Sequence, residues 1–188
     1  MTQRRLGIIT VAILLLIVVG SSVYYVFRGS HQLKSASQSP VVGKAAVGQP
    51  APQFVVSTTD GLFDLNAADK PVFPEIFATW CPHCQRETAV IDRLYAEYKS
   101  RVDFVAVSGS DTAMDHLSPA SQNDVVQWAQ MFHADYPVAY DATESVAQLY
   151  LQGGFPTLVV IAKDKTVSYV NSGEISYDEL NAAIAKVL

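Results

Sequence analysis

The sequence is poor in cysteine, poor in charge at one end and without a basic stripe, and each shortage excludes something. Cys81 and Cys84 are the only cysteines, so no framework of several disulfides can form. A closed zinc site would need two more ligands; no second Cys pair exists, and His31, His116 and His133 show no His-x₃₋₅-His spacing. Residues 1–49 carry five Lys/Arg and no Asp/Glu, leaving eight basic against eighteen acidic residues in the remainder. An acidic domain without a basic patch has no footprint for nucleic acid, and none is expected as a partner.

Charge is also missing from Leu6 to Phe27, between Arg4–Arg5 and Arg28. At ~1.5 Å per residue such a helix spans the ~30 Å hydrocarbon core of a bilayer. Tyr24, Tyr25 and Phe27 fall where an interfacial aromatic belt would lie. The alternative is a cleaved signal peptide, with small residues at Gly20, Ser21 and Ser22. The apolar run continues through Val23–Phe27, which favours an uncleaved anchor. The expected order is a cytoplasmic N-terminus at 1–5, a signal-anchor at 6–27, a Ser/Gln/Gly-rich linker at 28–47 and a folded domain at 48–188. Either reading exports the domain, where a disulfide can persist.

Against these absences stands Trp80-Cys81-Pro82-His83-Cys84. It ends an apolar run, Val72–Ala78, and begins a helical pattern running from Pro82 to Lys99 through Val90, Ile91, Leu94, Tyr95 and Tyr98. A Cys-x-x-Cys at a strand-to-helix junction suits thiol–disulfide exchange. The first sulfur meets the N–H groups of the helix start, which favour thiolate, and the second is one turn on. A purely structural bridge is the alternative, but it closes a tiny loop and would stabilise little. Pro74 is awkward in a central strand, because it cannot donate to a ladder; either the strand starts after it or a bulge sits there.

Elsewhere the pattern predicts a hairpin, Phe54–Thr58 and Leu62–Leu65 around Asp60-Gly61, and a buried strand at Val102–Val107. A helix capped by Ser121 or Asn123 should carry Val125, Trp128 and Phe132. A short strand, Tyr136–Tyr140, and a short helix, Thr143–Leu151, should follow. Leu158–Ala162 and Thr166–Val170 read as a second hairpin, and Ser176-x-x-Glu179 as a capping box for a last helix. Strand–helix alternation implies a parallel or mixed sheet with helices on both faces and the Cys pair at a strand's C-terminal end.

With Trp80–Cys84 on that junction and Gly154-Phe155-Pro156-Thr157 opening a later strand, residues 45–188 resemble a thioredoxin fold. More closely they resemble the membrane-anchored, extracytoplasmic TlpA/ResA type. Gly48-Gln49-Pro50-Ala51-Pro52-Gln53-Phe54 matches that family's entry, Ile76–Cys84 its core motif, and Tyr136-Pro137-Val138-Ala139-Tyr140-Asp141 a later Phe-Pro-Val-like stretch. The resemblance implies a three-layer α/β fold with a central mixed sheet and an N-terminal β-hairpin, preceded by one transmembrane helix. It implies a thiol–disulfide oxidoreductase without a cofactor, acting on protein thiols and disulfides and served by a membrane or extracytoplasmic redox partner. The expected site is periplasmic.

By the same resemblance, Cys81 is the more exposed nucleophile and Cys84 the resolving thiol. Glu75 lies beneath Cys84 as a partly buried acid that takes its proton, unless it is a strand-edge carboxylate reaching solvent. Glu87 is either an active-site acid or part of a solvated helix face. Pro156 is the cis-proline opposite the cysteines, presenting Phe155 to substrate backbone, and Trp80 shields the pair. Pro82 sets a helical φ at no hydrogen-bond cost. The Pro-His dipeptide is similar to that of the oxidant DsbA. A donor or charge on His83 near Cys81 would stabilise the thiolate and make the disulfide more oxidising. The scaffold implies a reductant and the dipeptide an oxidant or isomerase. Two other functions compete. A copper-binding assembly factor would use Cys81, Cys84 and a histidine, for which His133 is the downstream candidate. A peroxidase would want Thr three residues before its cysteine, where Ala78 stands.

Overall fold

The computed structural model describes residues 44–188. The expected signal-anchor and all but the end of the linker lie outside the described residues. Among those described, no helix is long and apolar enough to cross a membrane.

Among the described residues, seven strands and four helices follow one another as β1 (Val55–Thr58), β2 (Gly61–Asp64), β3 (Val72–Phe77), α1 (Pro82–Tyr98), β4 (Asp103–Ser108), α2 (Gln122–Phe132), β5 (Val138–Tyr140), α3 (Ser145–Tyr150), β6 (Thr157–Ile161), β7 (Val167–Ser172) and α4 (Tyr177–Ala185). The strands form one mixed sheet in the order β2-β1-β5-β4-β3-β6-β7. The β3–β4 and β4–β5 pairs are parallel; β1–β2, β1–β5, β3–β6 and β6–β7 are antiparallel. Within residues 48–188 every expected element is present, with ends displaced by a residue or two. Ser121 caps α2, its Oγ accepting from the Asp124 N–H at 3.2 Å, and Ser176 caps α4 in the same way through Glu179. Chain packing starts upstream of Gly48. Ala45 is buried and its N–H donates to the Leu149 carbonyl at 2.8 Å, so the linker expected to reach residue 47 gives way to packed chain by Ala45.

Alternation along β3 sets the two sides of the core. Phe73 and Phe77 point into a cluster with Ile91 and Leu94 of α1, Trp128 of α2 and Leu180 and Ile184 of α4. Val72 and Ile76 point the other way, to Val146 and Tyr150 of α3, Val159 and Leu65. Three helices therefore cover one face, and α3 with the N-terminal segment covers the other. Glu75 shares its side of the strand with Phe73 and Phe77.

Pro74 neither delays the strand nor forces a bulge. β3 runs through it in unbroken register with β4, Pro74 opposite Val105. On the β6 side the pairing engages Val72, Glu75 and Ile76 and passes over Phe73 and Pro74. The proline's missing N–H thus falls in a gap of one ladder, and apolar burial on both faces holds the strand there.

Close packing reaches its limit where β4 ends. A Cβ on Gly109 would stand 2.4 Å from the Ala147 Cβ and 3.2 Å from Ile76 Cγ2. Gly109→Ala is expected to cost roughly 1–3 kcal/mol by forcing α3 away from the sheet. Urea unfolding would measure it, and an unchanged midpoint would show that α3 yields freely.

Candidate active site

The end of β3 delivers Ala78 and Thr79 to a tight turn, and Cys81 becomes the N-cap of α1 in extended conformation (φ −80°, ψ 115°). The Cys81 N–H donates to the Ala78 carbonyl at 3.0 Å, and Gln85 Nε2 ties the turn by donating to the Thr79 carbonyl at 3.0 Å. Pro82 occupies the first helical turn, where no N–H is needed. Cys84 follows one turn into α1. Both cysteines are free thiols. Cys81 is 5% exposed and Cys84 fully buried, so Cys81 is the more accessible sulfur, though by a small margin.

The loop before β6 closes over them. The Phe155–Pro156 peptide is cis, and the Cys81 Sγ–H donates to the Phe155 carbonyl at 3.5 Å. Trp80 stands beside this contact. Its indole N–H donates to Ser110 Oγ at 2.8 Å, its face meets the Phe155 ring edge-on at 6.0 Å, and the His116 ring lies 5.5 Å away. Trp128 is ordinary core, 4.3 Å from the Phe77 ring.

Two carboxyls are buried in this region, Glu75 next to Cys84 and Glu87 one turn further along α1. Glu75 is 1% exposed and Glu87 2% exposed, which overturns the strand-edge reading of the first and the solvated-face reading of the second. Glu75 is more deeply buried than expected. It faces the α1 side of the sheet, between its apolar register partners Ala106 and Leu158. Burial raises its pKa from an ordinary 4.5 to about 8, partly offset by a hydrogen bond from the Tyr136 hydroxyl to Oε2 at 3.2 Å. Burial likewise raises Glu87 to about 7, against a hydrogen bond from the Ile175 N–H to its Oε2 at 3.1 Å. The second oxygen of each, Oε1, is buried without a protein partner. Burial pushes the Cys84 thiol far up, and the Glu75 carboxyl pushes it further.

His83 is engaged by a carboxylate. Its Nδ1 lies 2.5 Å from Glu174 Oε1, and Arg86 grips the same carboxylate, with Nε at 3.0 and 3.2 Å from its two oxygens. The Arg86 and then the His83 hydrogen bonds hold Glu174 down at about 2. These three side chains are exposed and share their charge at the surface. His133 ends α2 in left-handed conformation (φ 58°). Among the described residues no group of three or more His, Cys, Asp and Glu is placed to hold a metal, so His133 does not join the cysteines.

Three participants had no mark in the sequence reading. Tyr136 figured only as the start of a strand and of the Phe-Pro-Val-like stretch, with no role at the site, although a buried tyrosine hydroxyl needs a partner and so points to a polar group nearby. Glu174 and Ser110 lie in loops with no distinguishing spacing.

A thiol pair at a helix start, one sulfur reachable and one buried over a protonatable acid, is equipped for two-step disulfide exchange. The Redoxin family model matches residues 46–185. The chain belongs to the Redoxin family. ResA, a thiol-disulfide oxidoreductase of Bacillus thuringiensis (strain Al Hakam), is 30% identical over 180 residues, spanning 93% of each chain. The ResA of Geobacillus thermodenitrificans is 28% identical and covers 98% of this chain and 97% of its own. Among solved structures, a thioredoxin-family thiol:disulfide interchange protein from Chlorobium tepidum superposes with a TM-score of 0.59 at 25% identity, over 76% of this chain and 97% of that one. A secreted Mycobacterium tuberculosis disulfide oxidoreductase gives 0.57 at 21% identity, over 71% and 96%, a likeness of fold. This redoxin is a thioredoxin-like protein of the TlpA/ResA type, and its activity is thiol–disulfide oxidoreduction.

Proposed function

We propose that this chain is an exported, membrane-tethered reductant of protein disulfides, anchored through residues 6–27. Cys81 attacks the substrate disulfide, and Cys84 then displaces the reduced substrate from the mixed disulfide. Glu75 takes the Cys84 proton, with Glu87 as the second buried acid. Trp80 and the Phe155–Pro156 turn frame the approach of substrate backbone. The apolar, uncharged run between Arg5 and Arg28 supports the tether.

The observation that carries the direction is the pairing of His83 with Glu174. A strongly oxidising Cys-x-x-Cys needs a donor or cation that stabilises the Cys81 thiolate. Here the imidazole faces a carboxylate already held by Arg86, and among the described residues the Cys81 Sγ meets the later loop at a carbonyl oxygen, which does not favour a thiolate. The reduced form gains little from His83, and its electrons are correspondingly easier to pass on.

Equilibration of the full chain with thiol buffers, read by trapping Cys81 and Cys84, is expected to place the couple near the ~−270 mV of thioredoxin. A value near the ~−120 mV of DsbA would reverse the proposed direction.

A further inference from the structure

Tyr136 reaches the buried acid from outside the Cys-x-x-Cys element. It precedes β5, is 3% exposed, and its hydroxyl donates to Glu75 Oε2 at 3.2 Å, with the Thr88 side chain also beside it. The ring is fixed edge-on against Tyr95 at 6.3 Å, and the next residue is pinned to the sheet, the Pro137 carbonyl accepting from the Ala106 N–H at 2.9 Å. The hydroxyl therefore comes from a rigid platform on β4 and β5, whereas the thiol comes from α1. Glu75 sits between them with one oxygen held and one unpartnered.

We propose that Tyr136 is the positioning residue for Glu75, its phenol holding Oε2 so that Oε1 is left to accept the Cys84 proton. The inference rests on the role given to Glu75 above. In the step concerned, the Cys84 sulfur forms a bond to Cys81 Sγ, the bond from Cys81 to the substrate sulfur breaks, and the electron pair leaves on the substrate thiolate. The Cys84 proton passes to Glu75. The acid must be ionised to receive it, and a donor on one oxygen favours that ionised form. The phenol is suited to donate throughout, since burial and the Glu75 charge push its own ionisation well above the ordinary range. The other titratable groups that face Glu75 are Cys84, Glu87 and Asp92, all from α1; Ala106 of β4 and Leu158 of β6 bring none. Every charged neighbour therefore opposes ionisation, and Tyr136 is the group that favours it.

The test mixes the reduced full chain with an aryl disulfide that releases coloured thionitrobenzoate, first when Cys81 attacks and again when Cys84 resolves. In Tyr136→Phe the first phase should be unchanged. The pH profile of the second should move up by about one pH unit, with its rate at pH 7 lowered roughly tenfold. In Glu75→Gln the second phase should lose this ionisation, and adding Tyr136→Phe should change nothing more. A second-phase profile in Tyr136→Phe that superimposes on wild type overturns the inference while leaving Glu75 in place. Loss of both phases assigns Tyr136 to the fold alone and also overturns it. A Glu75→Gln profile identical to wild type removes the role of Glu75 itself, and the inference falls with it.

Discussion

Cys84→Ser should stop the reaction at a covalent complex, with Cys81 joined to the substrate sulfur and turnover lowered at least about 10³-fold. The expectation follows from what each sulfur can reach. Cys81 caps α1 under the Phe155 carbonyl and has the remaining exposure of the pair, while Cys84 has none. Burial and the neighbouring Glu75 push the Cys84 thiol far above the ordinary range, so it cannot open a substrate disulfide from solution. It can only act on a sulfur already bonded next to it. Without it, release depends on an external thiol, and the effective concentration of an oriented intramolecular nucleophile is lost. The complex should appear under non-reducing conditions as an adduct that dithiothreitol dissolves. Cys81→Ser should form none. An adduct of equal yield through Cys84 in Cys81→Ser would reverse the assignment of the two sulfurs.

The elements of this site differ in how plainly the residues declare them. The Cys-x-x-Cys junction, the two serine caps and the alternation in β3 are local, so a few consecutive residues carry the whole signal. The contacts that tune the site are not local. Tyr136 lies 61 positions from Glu75, Glu174 lies 91 from His83, and Phe155 lies 74 from Cys81. No spacing rule links such pairs; only the order of strands in the sheet brings them together. His83 shows the consequence. Its type suggested a cation beside the nucleophile, but a loop after β7 supplies Glu174, which engages the imidazole Nδ1. Pro74 fails in the opposite sense. The local rule warned of a break, and the surrounding core, with Phe73, Ile76 and Phe77 each nearly inaccessible, overrode it.

Glu75→Gln should remove most of the pH dependence of stability in the reduced protein. The carboxyl ionises near 4.5 when unfolded and near 8 when folded. Below pH 4.5 both states hold the proton, and the group's contribution is fully present. Between the two values the unfolded state sheds its proton while the folded state keeps it, so stability falls as pH rises and levels off above 8. At about 1.4 kcal/mol per pH unit the loss reaches about 5 kcal/mol, a large part of the stability of a small domain. Glu87, raised to about 7, adds a loss of the same sign over a shorter window. Glutamine keeps the shape and can still accept from Tyr136, but it has no proton to lose. The variant should therefore be close to wild type at pH 4.5 and several kcal/mol more stable at pH 8.5, with the slope that remains reduced further by adding Glu87→Gln. Urea unfolding across this range measures the difference directly. Parallel curves for wild type and Glu75→Gln would mean that the buried carboxyl finds a partner for its charge in the folded state. In that case it would be ionised at neutral pH, and proton transfer from Cys84 would meet a ready base rather than an acid that must first lose its own proton.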